Sequence, residues 1–268
     1  MILVSECGGA AATSFMKMLP EEDKKNIYLY DQDHKVKDLY GKLWGINPRS
    51  KPPQFIAPTA EYPEQWVSSP QYNPAATGAC VKPGDLSWIH NKRSLGLLLS
   101  ERQFKLNKRK SGVLVPTPVV DQLFMRPERG AGSRGAEKTH EDVYVCEYVP
   151  LTSEWVVDFN TATGTFYPRE VLLMKNGADV IVKVYPEKDP KWQAVVHAAR
   201  SIIETLGITQ AMIGNIQLGE QNNKANPFVF IEMALRLSGS SSVCLQFGGN
   251  VLTGEPMDVP SETLINLR

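Results

Sequence analysis

The apolar and polar positions of this chain change their spacing several times, and each spacing predicts a different element. Near the start, the apolar runs MILVSE and NIYLYD flank the turn CGGAAA and the segment TSFMKML, which has helical spacing. Strand, glycine-rich turn, helix and strand in this order are typical of the opening of a doubly wound α/β sheet. We therefore predict a small domain of this type over residues 1–87.

A second domain is predicted over residues 88–268. Prolines are concentrated between residues 46 and 87, where they interrupt regular structure and separate the two parts. From Trp88 onward, NKRSLGLLLSERQFK has a helical apolar stripe, and QLFMRP, VYVCEYVP and EWVVDFNTATGTFYP read as strands. NTATG supplies a hairpin turn within the last of these segments. The fold class predicted for the whole chain is α/β.

The strongest helix pattern covers residues 190–206, where apolar residues recur at helical spacing. Three flanking residues mark its ends. Asp189 is suited to cap the N-terminus, Pro190 suits the first helical position, and Gly207 suits the residue after the C-terminus. We therefore predict a helix with these bounds.

The most informative stretch is FVFIEMALRLSGSSSVCLQFGGN, residues 228–250, because an apolar strand pattern there carries charged residues. In a regular strand, Glu232 shares a face with Phe228 and Phe230. The preceding strand AMIGNIQLGE is joined to it by the polar loop QNNKAN, so we predict an antiparallel pair. Gln217 and Glu232 then place oxygen ligands on one face, as Mg²⁺ requires. The alternative is an edge strand whose charges are merely solvated.

The loop in FMRPERGAGSRGAEK is the best candidate for binding phosphate. Its unobstructed backbone N–H groups, with the guanidinium groups of Arg126 and Arg134 nearby, suit charge-assisted hydrogen bonds to a polyphosphate. It is not a P-loop, because Ala136 stands where that motif requires Lys. The alternative is a surface hairpin tip. The small residues of the loop are Gly130, Gly132, Ser133 and Gly135.

The composition of the chain argues against several classes of protein. The chain has 268 residues, and its 29 Lys and Arg balance its 29 Asp and Glu, which argues against broad binding to nucleic acid or acidic membranes. The four cysteines are far apart and form no CxxC, so we expect reduced thiols in a cytoplasmic protein. We expect neither a signal peptide nor a membrane span. The fingerprint G-x-G-x-x-G is absent, so NAD binding rests on the N-terminal pattern alone.

The order of these motifs resembles the ATP-grasp superfamily, most closely its carbamoyl-phosphate-synthetase-like and PylC-like ligases. HNKRSLGLLLSE resembles the family's Lys-led helix, which implies that Lys92 contacts phosphate. MRPERGAGSRG is similar to [KR]P-x-x-G-x-G-S-x-G, which implies that Arg126 binds the α- and β-phosphates. EYVPLTSEWVVDF resembles the hinge and the following strand, which implies that Glu147 lies near the adenine and Glu154 near the ribose.

The C-terminal motifs extend the resemblance over nearly the whole chain. GNIQLGE, FIEMALRLSGSSS and FGGN are similar to niQ, iEiNpRfsGg and aGxN, which implies metal ligation by Gln217 and Glu232 and a catalytic positive charge at Arg236. YPRE resembles a further basic catalytic position, Arg169. The chain departs from the family at Ala234, which stands where Asn is the usual second metal ligand.

The resemblance implies a small α/β domain followed by a two-lobed α+β domain that holds Mg·ATP between its lobes. The implied enzyme is an ATP-dependent carbon–nitrogen ligase that converts a carboxylate to an acyl phosphate and joins it to an amine. Its implied partners are therefore small-molecule carboxylate and amine substrates, and related folds are commonly dimeric. Because of Ala234, a non-catalytic or regulatory nucleotide-binding protein is the alternative, and an NAD-dependent oxidoreductase is a third.

Overall fold

The structure of the chain is a computed structural model. The model describes residues 2–5, 10–24, 27–30, 54–55, 89, 92–105, 113–114, 123–127, 143–147, 149–175, 178–208 and 213–267.

Four α-helices and twelve strands lie in these ranges. In the N-terminal half they are β1 (Ile2–Ser5), α1 (Ala10–Met18), α2 (Glu21–Lys24), β2 (Ile27–Tyr30), β3 (Gln54–Phe55), α3 (Lys92–Lys105), β4 (Val113–Leu114) and β5 (Leu123–Pro127). They continue with β6 (Val143–Glu147), β7 (Ser153–Asn160), β8 (Thr165–Lys175), β9 (Ala178–Val184), α4 (Pro190–Leu206), β10 (Ile213–Glu220), β11 (Phe228–Ala234), a 3-10 helix (Ser241–Phe247) and β12 (Thr263–Asn266).

The first strands form a small parallel sheet. β1 pairs with β2 in parallel, with α1 between them in the chain, and β2 pairs with β3 in parallel. Residues 31–53 and 56–88 lie outside the described part of the chain. The domain boundary at residues 87 and 88 therefore stays a prediction.

A seven-stranded sheet, in the order β12-β9-β8-β7-β10-β11-β4, forms the centre of the remaining structure. All neighbours pair antiparallel except β11 and β4, which are parallel. The predicted hairpin turn joins β7 to β8, and Gly164 adopts a φ of 71° there, as a glycine does most readily. The predicted antiparallel pairing of β10 and β11 is confirmed.

Helix α4 has the bounds that its end signals predict. Asp189 lies outside the helix, and its carboxylate accepts a hydrogen bond of 2.8 Å from the backbone N–H of Lys191. Pro190 is the first helical residue. Gly207 follows the last turn with a φ of 68°, in the left-handed region that a glycine C-cap uses. These local signals fix the helix independently of its tertiary contacts.

One face of the seven-stranded sheet belongs to the main apolar core. Trp155, Val157 and Phe159 alternate along β7 and are buried in the same cluster as the apolar stripe of α4. The cluster also includes Phe15 and Met16 of α1, so the N-terminal helix shares this core. On the opposite face, the central strands carry the polar side chains that are described below.

None of the described helices is long and apolar enough to span a membrane. Cys244 is buried and forms no disulfide within the described residues, and the redox state of the cysteines stays a prediction. Cys7 and Cys80 lie outside the described residues.

Candidate functional site

The central strands of the large sheet carry polar side chains on the face opposite the apolar core. Residues directly opposite each other in neighbouring strands share a face of the sheet. One row across the sheet joins Arg169, Val156, Gln217 and Glu232, from β8 to β11. The next row joins Tyr167, Asp158, Asn215 and Ala234. We call the surface formed by these two rows and Glu154 the polar face.

A bulge in β11 decides which residues reach the polar face. The register between β10 and β11 shifts at Gln217 and Leu218, so Glu232 lies opposite Gln217 while Phe230 lies opposite Leu218. Adjacent residues of β10 point to opposite faces, and so Phe230 and Glu232 do as well. The sequence-based expectation that these two residues share a face is therefore wrong. The bulge buries Phe230 in the core and turns Glu232 toward the site.

Lys92 and Glu232, two predicted site residues from distant parts of the chain, form an ion pair. Lys92 is the first residue of α3, and its Nζ contacts the Glu232 Oε2. Both side chains are largely buried, with 16% and 12% of their surface exposed. Charges that have lost much of their hydration interact more strongly than exposed ones. The pair therefore joins the start of α3 to the polar face.

Arg236 places a second positive charge beside Glu232, and it has few partners among the described residues. The residue is half-buried, and its Nη1 donates one long hydrogen bond of 3.4 Å to the carbonyl of Leu237. Burial lowers the pKa of Arg236 from its usual range, and the negative charges of Glu232 and Asp158 offset only part of this effect. Its own carbonyl accepts a hydrogen bond of 2.8 Å from Asn215 Nδ2, which holds the backbone in place. Within the described part of the chain, most donors of this guanidinium have no hydrogen-bond partner and can bind an anion.

Ala234 is 7% exposed and lies opposite Asn215 in the second row. Its side chain contributes no oxygen, and the oxygen-bearing side chains around it in the register are Asn215, opposite, and Gln217 and Glu232, in the neighbouring row. An amide and a carboxylate oxygen are the ligand types that suit Mg²⁺. The described residues contain no cluster of three or more His, Cys, Asp or Glu that could hold a metal ion. Metal ligation by Gln217 and Glu232 stays a prediction.

Arg169, predicted to be catalytic, is 1% exposed. Its Nη2 lies 2.7 Å from Asp158 Oδ2 in a fully buried ion pair, and its other nitrogens donate to neighbours within the protein. No surface of the guanidinium is open to a substrate in this arrangement. The predicted direct role is not supported by this placement.

Sequence reasoning missed several residues of this site, namely Asp158, Asn215, Ser238 and Ser240. One signal was readable: Asn215 precedes Gln217 by two residues, and Asp158 follows Glu154 by four, so each shares a strand face with a residue already singled out. Nothing local indicates that the two serines bind the side chain of Arg169.

Glu154 lies on the polar face near its edge, opposite Gly219 of β10. The residue is exposed, yet partial burial of the carboxyl group raises its pKa, and the negative charge of Asp179 raises it further. Its predicted contact with the ribose stays a prediction.

The strands on both sides of the glycine-rich loop form a separate antiparallel ribbon. β5 pairs with β6, with Arg126 opposite Tyr144 and Leu123 opposite Glu147. The side chains of Arg126 and Glu147 and all of residues 128–142 lie outside the described part of the structure. The phosphate and adenine contacts predicted for Arg126, Glu147 and the loop residues Gly130, Gly132, Ser133 and Gly135 therefore stay predictions.

Comparison with solved structures identifies the fold. A carboxyaminoimidazole ribonucleotide synthase from Aspergillus clavatus, solved with ATP, is 12% identical and has a TM-score of 0.54 over 98% of this chain and 80% of that one. An ADP complex of the N5-carboxyaminoimidazole ribonucleotide synthetase PurK is 10% identical, with a TM-score of 0.51 over 100% of this chain and 78% of that one. Both are ATP-grasp proteins. The chain has the ATP-grasp fold.

A longer protein contains the same fold. Pyruvate carboxylase from Rhizobium etli is 11% identical and has a TM-score of 0.53 over 94% of this chain, but this chain spans only 28% of the carboxylase. No family model matches the sequence, and no curated protein matches it. At these identities the likeness to ATP-grasp structures concerns the fold and does not specify a reaction.

Proposed function

We propose that this protein is an ATP-dependent ligase that binds Mg·ATP on the polar face. In the proposed reaction, the γ-phosphoryl group of ATP passes to a substrate carboxylate, giving an acyl phosphate and ADP. An amine then attacks the acyl carbon, and phosphate leaves as the carbon–nitrogen bond forms. The proposed substrates are a small-molecule carboxylate and a small-molecule amine, and the proposed location is the cytoplasm.

The observation that carries this proposal is the convergence of four predicted residues from distant parts of the chain. Glu232 lies opposite Gln217 on neighbouring strands, and it contacts Lys92 from α3. Arg236 lies four residues after Glu232, and most of its guanidinium donors have no hydrogen-bond partner among the described residues. Carboxylate and amide oxygens beside two positive side chains suit a metal-bound polyphosphate. The ATP and ADP complexes of the similar ATP-grasp structures support the same ligand.

Each residue has a distinct task in this proposal. Gln217 and Glu232 would hold Mg²⁺, and the cation would neutralise negative charge on the phosphate oxygens. Lys92 would orient the phosphates after it separates from Glu232. Arg236 would stabilise the charge on the transferred phosphoryl group, where a positioned guanidinium is most effective. No side chain needs to form a covalent bond with the substrate.

Ligand-induced stabilisation tests the proposal directly. We expect Mg·ATP and Mg·ADP to raise the melting temperature, because a ligand at about 100 times its Kd stabilises the native state by about 2.7 kcal/mol. NAD serves as the comparison ligand, since it would bind if the protein were an oxidoreductase instead. An assay for ADP release with pooled carboxylates and amines then detects turnover. A shift with NAD and none with Mg·ATP would overturn the proposal.

Ala234 favours the alternative of a nucleotide-binding protein without efficient turnover, because it removes one protein oxygen from the predicted metal site. We expect Ala234→Asn to lower the Mg²⁺ concentration for half-maximal ATP binding by about threefold or more, since Mg²⁺ gains an oxygen ligand in place of a water. Ala225→Asn, in an exposed loop, is the control. Equal metal dependence in parent and variant would show that residue 234 does not lie beside the metal. ADP formation by the variant alone would favour the non-catalytic alternative for the natural protein.

A further inference from the structure

Every nitrogen of the buried Arg169 guanidinium is bound within the protein. Nε donates to Ser240 Oγ at 2.6 Å, and Nη1 donates to the carbonyl of Tyr167 at 3.1 Å. Nη2 donates to Ser238 Oγ and pairs with Asp158 Oδ2 at 2.7 Å. Binding a substrate would require this network to break. The guanidinium of Arg169 therefore binds groups of the protein and leaves no nitrogen for a substrate.

The residues bound by Arg169 belong to the segment that follows Arg236. Ser238 and Ser240 lie two and four residues after it. The network continues beyond them, because Ser240 Oγ donates to Asp179 on β9 and the backbone N–H of Ser238 donates to Ser241 Oγ at 2.7 Å. Residues 237–241 are thus fastened to β7, β8 and β9 on the polar face. We call them the serine segment.

The buried ion pair of Arg169 and Asp158 contributes a fixed arrangement of side chains more than it contributes folding stability. Such a pair often contributes no more stability than apolar residues of similar size, because both charges lose their hydration. Asp158 Oδ1 is moreover buried without a hydrogen-bond partner among the described residues, which lowers stability. The planar fork of Arg169, by contrast, holds two hydroxyls at fixed positions, which Lys cannot do.

We infer that Arg169 and Asp158 are positioning residues, which hold the serine segment and thereby aim Arg236 at the bound phosphates. The bound phosphates in this inference rest on the proposed function. The position of the serine segment rests on the hydrogen-bond network alone. Arg236 is anchored on one side by Asn215, at its carbonyl, and on the other by the serine segment. Loss of the second anchor leaves the guanidinium free to turn away.

The test replaces the whole pair, because Arg169→Met alone would leave Asp158 buried with an uncompensated charge and would unfold part of the protein. In the double variant Arg169→Met and Asp158→Leu, we expect a melting temperature close to that of the parent. Hydrogen exchange in the nucleotide-free protein should nevertheless be about tenfold faster in the serine segment, while α4 exchanges as before. Gly239→Ala is the control within the segment, since no heavy atom lies within 4 Å of the added Cβ. Unchanged exchange in the double variant would overturn the inference.

Calorimetric titration with Mg·ATP distinguishes positioning from direct contact. We expect the double variant to bind about tenfold more weakly than the parent, and to cause no further loss when Arg236 is already Met, because effects that act through one residue are not additive. Additive losses would mean that Arg169 touches the nucleotide, and would overturn the inference. If the parent binds no nucleotide, the proposed function fails, and the exchange measurement still decides whether the pair holds the segment.

Discussion

Replacing Glu232 with glutamine is expected to raise the Mg²⁺ concentration needed for half-maximal ATP binding by about tenfold or more. Glutamine keeps the size of the side chain and removes the negative charge that a hard divalent cation prefers. The same charge faces Lys92 in the nucleotide-free protein. Removing one member of a largely buried pair leaves the other charge without compensation, so a lower melting temperature is also expected. Titration with ATP at a series of Mg²⁺ concentrations measures the first effect, and thermal unfolding measures the second.

The matched control is Glu262→Gln. Glu262 Oε1 pairs with Lys183 Nζ at 2.8 Å, but 55% of the Glu262 side chain is exposed. Exposed ion pairs contribute about 0 to 1 kcal/mol, so neither metal dependence nor melting temperature should change much. If Glu232→Gln behaves like this control in the ATP titration, Glu232 does not hold the metal.

Replacing Arg236 with methionine is expected to weaken ATP binding by about 10- to 100-fold, which corresponds to the roughly 1.5 to 3 kcal/mol of a hydrogen bond to a charged group. Its guanidinium makes a single long hydrogen bond within the described structure, to Leu237. We therefore expect the loss of folding stability to stay near 1 kcal/mol or less, about the typical cost of a substitution. The Arg236→Met variant should therefore lose ATP affinity while it keeps most of its folding stability. Calorimetry and thermal unfolding of the same sample test both statements.

Two further variants sharpen this prediction. Arg236→Lys keeps the charge without the planar fork, so we expect an intermediate affinity. Arg200→Met removes an arginine from the exposed side of α4, where its guanidinium lies 5.3 Å from the ring centre of Phe166. ATP affinity should be unchanged in the Arg200 variant. An Arg236→Met protein that binds ATP as tightly as this control would remove Arg236 from the site.

The likeness to solved ATP-grasp structures and the motif order of the sequence agree on the fold. The ATP-grasp fold alone does not specify a reaction. The polar face supplies residues suited to Mg·ATP, and the acceptor substrates remain proposals. The Glu232 and Arg236 variants test the nucleotide site without requiring those substrates.

Several elements could be predicted from the sequence because their signals are local. Helix α4 is bounded by Asp189 and Gly207, which act on the nearest backbone groups. The turn between β7 and β8 requires a glycine that tolerates positive φ, and Gly164 provides it. The pairing of β10 with β11 follows from a short polar loop between two apolar strands. Each signal involves neighbours in the chain, so no tertiary contact was needed to read it.

Other features were decided only by the tertiary structure, because they depend on partners far away in the chain. The bulge opposite Gln217 places Phe230 and Glu232 on different faces, whereas strand periodicity predicted one shared face. The resemblance of YPRE predicted Arg169 as a catalytic basic residue, but in the structure Arg169 is buried and contacts Asp158, Ser238 and Ser240. The sequence by itself determined which residue types were present and in what order along each strand. Register and burial determined which of them meet at the site, because cross-strand and core packing energies involve residues that no local pattern joins.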